Sequence, residues 1–209
     1  MKTLFVVEPD FFDGHLSGAR IPVFLKMAEL CRGKTKVFAR LGTKVVQVSM
    51  PADAPNMDLA YAGILLGAVK DVPQFDSVIC QKGQRPDVAG GRTALMLNDA
   101  RGRQAINQLY ELLSGRFGFD AYRLSAPIRF WQGMRRDRAQ IAKFDTVYVQ
   151  TEAEARFLRR FFAKAAHKIE IFSNKDAILS LYPNSVIAKT GARPHRFLLA
   201  VPPGIRRAA

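Results

Sequence analysis

The sequence predicts an α/β protein built on a doubly wound, mostly parallel sheet. Short apolar runs typical of buried strands alternate along the chain with stretches of helical periodicity. The first unit spans residues 2–30, with an apolar strand at 4–7, a loop at 8–18 and a helix after it. Open α/β sheets begin with such a unit, and they bind phosphates at the loop that follows the strand.

The first helix has recognisable ends. Pro22 is compatible with its first turn, because the missing N–H is not needed there. Gly33 is expected to end the helix in the left-handed conformation. The loop before the helix does not follow the G-x-G-x-x-G spacing, so the chain has no dinucleotide fingerprint at this position.

The remaining elements continue the alternation. Further strands are predicted at 36–40, 44–50, 75–80, 94–97, 146–149, 168–172 and 197–201. Further helices are predicted at 59–69, 104–113, 125–143, from 151 onward and at 176–182. The helix at 59–69 is apolar nearly all round, so it is predicted to be deeply buried and capped by Asp58. The pairing of strands 75–80 and 94–97 stays open, because their short connection leaves little room for a parallel crossover.

Two more helix starts carry capping signals. Ser125 is expected to cap the helix at 125–143, and Pro127 fits its first turn. Thr151 and Glu154 form a capping box, in which each side chain satisfies a backbone N–H at the start of the next helix.

Length and composition predict one globular domain. The 209 residues are 48% hydrophobic and 24% charged, as in ordinary folded proteins. No apolar run is long enough for a transmembrane helix, and Glu8 and Pro9 interrupt the first apolar segment too early for a signal peptide. Cys31 and Cys80 lie in apolar stretches without metal-ligand spacing, so we expect two buried, reduced thiols and a cytoplasmic protein.

The charge of the chain is strongly positive and unevenly distributed. The formal net charge is +14. Residues 1–99 carry 12 Lys and Arg against 10 Asp and Glu, whereas residues 100–209 carry 20 against 8. Such a field attracts polyanions, which are either nucleic acid or an anionic membrane face.

The basic residues that could bind an anionic partner lie mainly on two predicted helices. The helix at 125–143 has a narrow apolar stripe of Ile128, Trp131, Met134 and Ile141, and the helix that begins at 151 has Phe157, Leu158, Phe161 and Phe162 on one face. The predicted anion-binding patch on their other faces consists of Arg129, Arg135, Arg136, Arg156, Arg159, Arg160 and Lys164. These cations either dock on anionic lipid or are simply solvated, while the apolar faces pack on the sheet.

Four segments in chain order resemble the N-terminal, acceptor-binding half of a GT-B-fold glycosyltransferase. They are SGARIPVFLKMAEL after the first loop, ALMLND at a strand end, KFDTVYVQTEAEARFLRRFF, and LLAVPPGI near the end of the chain. Two positions depart from the family pattern. Ser17 stands where the family usually has its first glycine, and Asn98 stands where it often has histidine.

The resemblance implies a particular division of labour. Residues 1–201 would form a Rossmann-like acceptor-binding domain, and residues 202–209 would begin an interdomain hinge or tail. A C-terminal domain of the same enzyme, or a separate subunit, would hold most contacts to the nucleotide-sugar donor, so the chain alone is expected to transfer nothing and to carry no cofactor. Its other partners would be a glycan or lipid-linked acceptor and the anionic inner face of a membrane, on which the enzyme is peripheral.

The resemblance also assigns roles in the first loop. The backbone of Gly14, Ser17 and Gly18 would face the donor diphosphate, since small residues let the main chain approach an anion. A tight turn that only closes the helix onto the strand accounts for the same residues. His15 is a candidate catalytic residue that could donate to a phosphate or act on an acceptor hydroxyl, unless it is merely solvated.

Further candidates follow the strand at 94–97. Asp99 could accept a proton from an acceptor hydroxyl, because site residues of open α/β sheets lie at the carboxyl ends of strands. Asn98 and Arg123 are expected to face the acceptor. The alternative role of Asp99 is to cap a following helix near Arg101. No metal site is predicted.

Two other functions fit parts of the sequence. A basic nucleic-acid-binding α/β module would use the same positive charge, although no helix-turn-helix, zinc spacing or aromatic RNA-binding motif is present. A flavodoxin-like binding or regulatory domain is the other alternative. The lack of an acidic cluster argues against a phospho-receiver.

Overall fold

The computed structural model describes residues 1–81, 91–97, 107 and 125–183. The strands in these residues are β1 (Lys2–Val7), β2 (Lys36–Leu41), β3 (Lys44–Ser49), β4 (Leu65–Ala68), β5 (Ser77–Cys80), β6 (Arg92–Leu97), β7 (Thr146–Val149) and β8 (Ile169–Ile171). The α-helices are α1 (Arg20–Arg32), α2 (Met57–Ala62), α3 (Ala126–Lys143), α4 (Glu152–Phe161) and α5 (Asn174–Leu181), and a 3₁₀ helix (Ala163–Lys168) precedes β8.

All eight strands belong to one mostly parallel sheet, as predicted. Their order is β4-β3-β2-β1-β5-β6-β7-β8. The six strands from β2 to β8 in this order run parallel, while β3 is antiparallel to β2 and β4 is antiparallel to β3. The pairing that the sequence left open is parallel and direct, with Ser77 opposite Arg92 and Cys80 opposite Leu95.

Apolar residues cover both faces of the central strands. Phe5 of β1 is buried in one cluster with Phe24 of α1, and this cluster also contains residues of α5. The neighbouring Leu4 is buried in a second cluster with Ile141 of α3 and Leu158 of α4. Parallel strands are normally covered on both faces, because their crossover connections place helices there. Successive residues of β1 therefore belong to two different packing layers.

The predicted buried helix at 59–69 is wrong. Helix α2 ends at Ala62, Gly63 closes its last turn with a 2.9 Å hydrogen bond to the carbonyl of Leu59, and β4 starts at Leu65. A run of apolar residues that no polar residue interrupts fits a buried helix and a strand equally well. Pairing with β3 decides in favour of the strand, and all four residues of β4 are exposed rather than buried.

Two predicted helix ends are shifted in the structure. Asn56, and not Asp58, caps α2, because its Oδ1 accepts a 2.9 Å hydrogen bond from the N–H of Leu59. Gly33 has a φ of −74°, and the left-handed residue is Lys34 with a φ of 61°. In both cases the helix end lies close to the predicted position. The cap of α2 and the left-handed residue after α1 are, however, made by residues one or two positions away from the predicted ones.

The two later helix starts differ from each other. The capping box at Thr151 and Glu154 is confirmed, since each side chain accepts a hydrogen bond of 3.2 Å from the backbone N–H of the other residue. Ser125 occupies the N-cap position of α3, but its side chain makes no capping hydrogen bond. Its expected capping role is therefore wrong.

A repeated local sequence links neighbouring strands at the amino edge of the sheet, which is the side where the parallel strands start. The sequence Phe-Asp-Ser/Thr-Val opens both β5 and β7. The carboxylate of Asp76 accepts a 2.6 Å hydrogen bond from the N–H of Lys2, and that of Asp145 accepts one of 2.8 Å from the N–H of Thr93. Each carboxylate thus satisfies a backbone donor of the neighbouring strand and fixes the register at that end.

Both cysteines are thiols, as expected. Cys80 is buried, whereas Cys31 is partly buried, and burial raises the pKa of its thiol to about 11. No helix in the described part of the chain is long and apolar enough to cross a membrane. Of the predicted helix at 104–113 only residue 107 is described, and it is helical, whereas the predicted strand at 197–201 and the hinge at 202–209 lie outside the described residues.

Gly91 provides a direct test of the turn that leads into β6. Its φ is +83°, and a Cβ at this position would lie 2.7 Å from the carbonyl oxygen of Phe75. We expect Gly91→Ala to lower the free energy of unfolding by about 1–3 kcal/mol, because both the backbone and the close contact oppose a side chain. Chemical denaturation of the full chain measures this change.

Gly67→Ala is the matched control. Gly67 lies on the exposed strand β4, and the nearest atoms to an added Cβ are at an ordinary 3.9 Å. This variant is expected to stay within about 0.5 kcal/mol of the native chain. Equal denaturation midpoints for the two variants would contradict the tight turn at Gly91.

Candidate functional site

The strand order reverses at β1, and this reversal defines the candidate site. Strand β2 lies on one side of β1 and β5 lies on the other, all three in parallel. In open α/β sheets such a reversal opens a crevice at the carboxyl ends of the strands, and ligands bind there. Residues 8–18 follow β1 at this edge, and Gln81 follows β5.

The loop at 8–18 is anchored to the core by its apolar side chains. Phe11 and Leu16 are buried in the same cluster as α1. The hydroxyl of Tyr61 on α2 donates a hydrogen bond to the carbonyl of Phe11. Burial raises the pKa of Tyr61, with a smaller opposing effect from Arg20, so this donor keeps its proton at neutral pH.

Arg20 holds the exposed part of the loop. Its Nη2 lies 2.7 Å from Oδ2 of Asp10, and its Nη1 donates a 2.7 Å hydrogen bond to the carbonyl of Asp13. Because the guanidinium is planar, its two contacts fix both the distance and the orientation of Asp10 and Asp13 relative to α1. The loop is therefore preorganised by the first residue of α1.

The small residues nominated for a phosphate are exposed at the tip of the loop. Gly14 and Gly18 have φ values of +82° and +49°, and a Cβ on either would meet no atom within 4 Å. His15 and Ser17 are also exposed. The turn requires glycine for its backbone conformation, and open space lies in front of the main chain at both positions.

The backbone donors next to the tip are partly used within the loop. The N–H of Arg20 donates to the carbonyl of Ser17 at 3.0 Å, and the N–H of Ile21 donates to that of Gly18 at 3.3 Å. Asp13 presents an exposed carboxylate, whereas the carboxylate of Asp10 is paired with Arg20. The exposed acceptors of the loop suit hydroxyl groups, which donate hydrogen bonds.

Gln81 connects the two central strands at this edge. Its side chain is buried, and its Oε1 accepts a 3.3 Å hydrogen bond from the N–H of Glu8. Its own N–H donates to the carbonyl of Val6 at 3.0 Å. Sequence reasoning missed this residue, although its position directly after a predicted strand was an available signal.

A second polar contact lies at the same edge, between a partly buried Gln150 after β7 and a buried Asn174 after β8. Asn174 is buried at the start of α5, and its Nδ2 donates a 3.2 Å hydrogen bond to Oε1 of Gln150. The Oδ1 of Asn174 accepts no hydrogen bond within the described part of the chain. Both residues were missed by the sequence reasoning, although Gln150 directly follows one predicted strand and Asn174 lies two residues after another.

The remaining site candidates come after strand β6. Strand β6 ends at Leu97, next to β5 and at the same edge of the sheet. Asn98, Asp99 and Arg123 lie outside the described residues.

The apolar stripe of α3 divides into a buried and an exposed part. Ile141 is buried against the sheet, whereas Ile128 and Trp131 are 62% and 59% exposed. On α4, Leu158 is buried and Phe161 is largely exposed, with its ring 6.0 Å from that of Phe130. The first half of α3 and the end of α4 thus present apolar side chains to solvent.

The predicted basic patch surrounds these exposed apolar side chains. The guanidinium of Arg135 lies 4.8 Å from the centre of the Trp131 ring, a cation–π contact. Exposed members of the patch are Arg135, Arg136, Arg156, Arg160 and Lys164, and the partly buried ones are Arg129 and Arg159. Arg156 pairs loosely with Glu152 at 3.7 Å, and Arg159 donates a 2.7 Å hydrogen bond to the carbonyl of Ile169.

An open cavity of about 620 Å³ lies at the opposite, amino edge of the sheet. It is lined by Asp76, Gly91, Arg92, Asp145 and Thr146. The two carboxylates there accept the backbone hydrogen bonds that join β1 to β5 and β6 to β7. The cavity is thus far from the strand-order reversal, and its acidic groups already have structural roles.

No protein-family model and no curated protein matches the chain. Among the described residues, no three His, Cys, Asp or Glu side chains are grouped so that they could hold a metal ion. The candidate site therefore rests on the sheet topology and on the loop at 8–18.

Replacement of Arg20 tests the preorganisation of the loop. We expect Arg20→Ala to accelerate amide hydrogen exchange in residues 10–18 roughly tenfold, because hydrogen bonds from a charged donor contribute about 1.5–3 kcal/mol. Mass spectrometry of the exchanged full chain gives the rate for this segment.

The control is Arg138→Ala, which removes an exposed arginine of α3. It should leave exchange in residues 10–18 unchanged. An Arg20→Ala variant with the exchange pattern of the control would show that the loop keeps its shape without the guanidinium.

Proposed function

We propose that the chain is the acceptor-binding domain of a sugar-nucleotide-dependent glycosyltransferase of the GT-B type. The observation that carries the proposal is the strand-order reversal at β1, where a preorganised loop with two left-handed glycines meets the crevice. Packing of α1 and α5 in one cluster and of α3 and α4 in the other supports a doubly wound domain. The acceptor is a glycan or a glycolipid.

The chemistry of the loop favours an acceptor with several hydroxyl groups. Asp13, His15 and Ser17 are exposed side chains that can exchange hydrogen bonds with hydroxyls. In this proposal His15 and Asp99 act on the attacking hydroxyl, and Asn98 and Arg123 orient the acceptor. The donor diphosphate is shared between the loop at Gly14, Ser17 and Gly18 and a second, donor-binding domain.

Asp99 is the residue whose replacement tests the catalytic part of the proposal. In the enzyme that contains both domains, Asp99→Asn should lower turnover at least tenfold, because an amide cannot accept the proton of the attacking hydroxyl. Steady-state sugar transfer to the acceptor measures the effect. Asp53→Asn, on an exposed loop remote in sequence, is the control and should retain full turnover.

Unchanged turnover in Asp99→Asn would remove this carboxylate from the reaction. The gene beyond codon 209 supplies an independent test of the family. A second Rossmann-like domain with glutamates at Glu-x-x-Gly-x-x-x-Glu spacing would support a GT-B enzyme, and a second domain of a different kind would contradict it.

The face formed by α3 and α4 supports a peripheral position on an anionic membrane, at its cytoplasmic side. Exposed Ile128, Trp131 and Phe161 lie among arginines, as in helices that rest in the headgroup region. Each Lys or Arg near an anionic bilayer contributes about 1 kcal/mol, so several together bind reversibly. Such a surface would bring the crevice to a lipid-linked acceptor.

Vesicle sedimentation tests this surface. The full chain should sediment with vesicles that contain phosphatidylglycerol but not with neutral phosphatidylcholine vesicles, and salt should weaken binding. Replacing both Arg135 and Arg136 by Ala should lower the partition coefficient roughly 30-fold, which corresponds to about 2 kcal/mol.

A control with the same change of net charge replaces Lys36 and Lys44 by Ala on the β2–β3 hairpin. It should lose much less binding. Equal recovery from both kinds of vesicle would rule out the membrane surface. A salt-dependent gel shift with random duplex, lost in the double arginine variant, would instead favour the nucleic-acid-binding alternative.

A further inference from the structure

Within the described residues, strand β4 forms one edge of the sheet and is paired on one side. It lies at the end of the strand order, and in the described part of the chain only β3 pairs with it, with Val48 opposite Leu66 and Gln47 opposite Gly67. Alternate backbone N–H and C=O groups on the other side of an edge strand point outward and can pair with another strand. The edge is therefore a potential site of strand addition.

Strand β4 has four residues and lacks two of the usual protections of an edge strand. Residues 63–69 contain no charged residue and no proline, both of which oppose edge pairing. Leu65 and Leu66 are 71% and 43% exposed, and Leu59 before the strand and Val72 after it are also exposed. Exposed apolar side chains thus accompany unpaired backbone groups.

The opposite end of the sheet is different. Strand β8 has only three residues and carries Glu170 at its centre. The guanidinium of Arg159 donates to the carbonyl of Ile169 in this strand. A short, charged strand with a side chain on its backbone is a poor template for pairing. The contrast marks β4, and not both edges, as the open one.

Charge decides which partner fits β4. The chain carries +14, so most pairs of surfaces on two copies repel each other. The segment 63–69 is neutral, and Lys70 and Asp71 after it cancel each other. A strongly acidic or basic partner strand would find no counter-charge within β4, whereas a second copy supplies a neutral apolar strand.

We propose that two copies of this chain associate through β4. The two strands run antiparallel about a two-fold axis, so the sheet continues from one copy into the other. Each contact is then made twice. In this arrangement the end of one strand lies beside the start of the other, so Lys70 faces the uncharged Gly63 and not its own copy. This association does not depend on the proposed activity.

Sedimentation equilibrium of the full chain tests the association. The native chain should show a reversible monomer–dimer equilibrium, and Leu65→Lys and Leu66→Lys should each weaken it at least tenfold. In the dimer each substitution places one lysine of each copy at the apolar strand contact, where Leu65 lies opposite Ala68 and Leu66 lies opposite Gly67, and lysine on an edge strand opposes pairing. Leu179→Lys on α5 is the matched control, since Leu179 is also 43% exposed, and it should leave the equilibrium unchanged.

Cross-linking tests the geometry independently. The centre of β4 lies between Leu66 and Gly67, so Leu66 of one copy lies opposite Gly67 of the other, and a mixture of Leu66→Cys and Gly67→Cys places two thiols opposite each other on the same face. Facing residues of antiparallel strands are about 4.5–5.5 Å apart between Cα atoms, which suits a disulfide. Mild oxidation of the mixture should give a covalent dimer, whereas either variant alone and Leu179→Cys should not.

Two results would overturn the proposal. One is a native chain that stays monomeric up to about 100 μM, whether the edge is bare or is covered by another segment of the same chain. The other is a dimer that tolerates both lysine substitutions and gives no cross-link at Leu66 or Gly67. Circular dichroism of each variant checks that the fold is retained.

Discussion

The central constraint on this fold is that β1 pairs with a parallel strand on each side and is covered by apolar residues on each face. Leu4 and Phe5, adjacent in sequence, belong to different buried clusters. Parallel neighbours require crossovers, and crossovers place packing segments on the faces of the sheet. The strand-order reversal and the position of the loop at 8–18 both follow from β1 having parallel partners on both sides.

Polar side chains have different roles at the amino edge and at the carboxyl edge of the sheet, where the parallel strands start and end. At the amino edge, Asp76 and Asp145 accept backbone hydrogen bonds from neighbouring strands, so these carboxylates contribute to the structure. At the carboxyl edge, Arg20 holds a loop whose Asp13 and His15 side chains face solvent. Carboxylates occupied by backbone donors have little left for a ligand, whereas exposed side chains on a fixed loop can bind one.

Much of the fold could be predicted because local signals and packing agree. The apolar pattern of β7 and the capping box at Thr151 agree, since the strand ends at Val149 and the helix starts directly after Thr151. The prediction failed at 59–69, where an apolar run has no period that separates helix from strand, and pairing with β3 decided the outcome. Of the site, the loop at 8–18 was predicted from its glycines. Gln81 and Asn174 were not, because a position after a predicted strand is a weak signal and the burial of these amides depends on contacts with distant residues.

By itself the sequence determined the α/β class, the mostly parallel sheet, the glycine loop after β1 and the basic, aromatic character of α3 and α4, because composition and periodicity act locally. Only the tertiary structure decided which strands are neighbours, that β4 lies at an open edge, and that Trp131 is exposed while Ile141 is buried. Those outcomes depend on contacts between residues far apart in the chain, and a local pattern does not encode its partner.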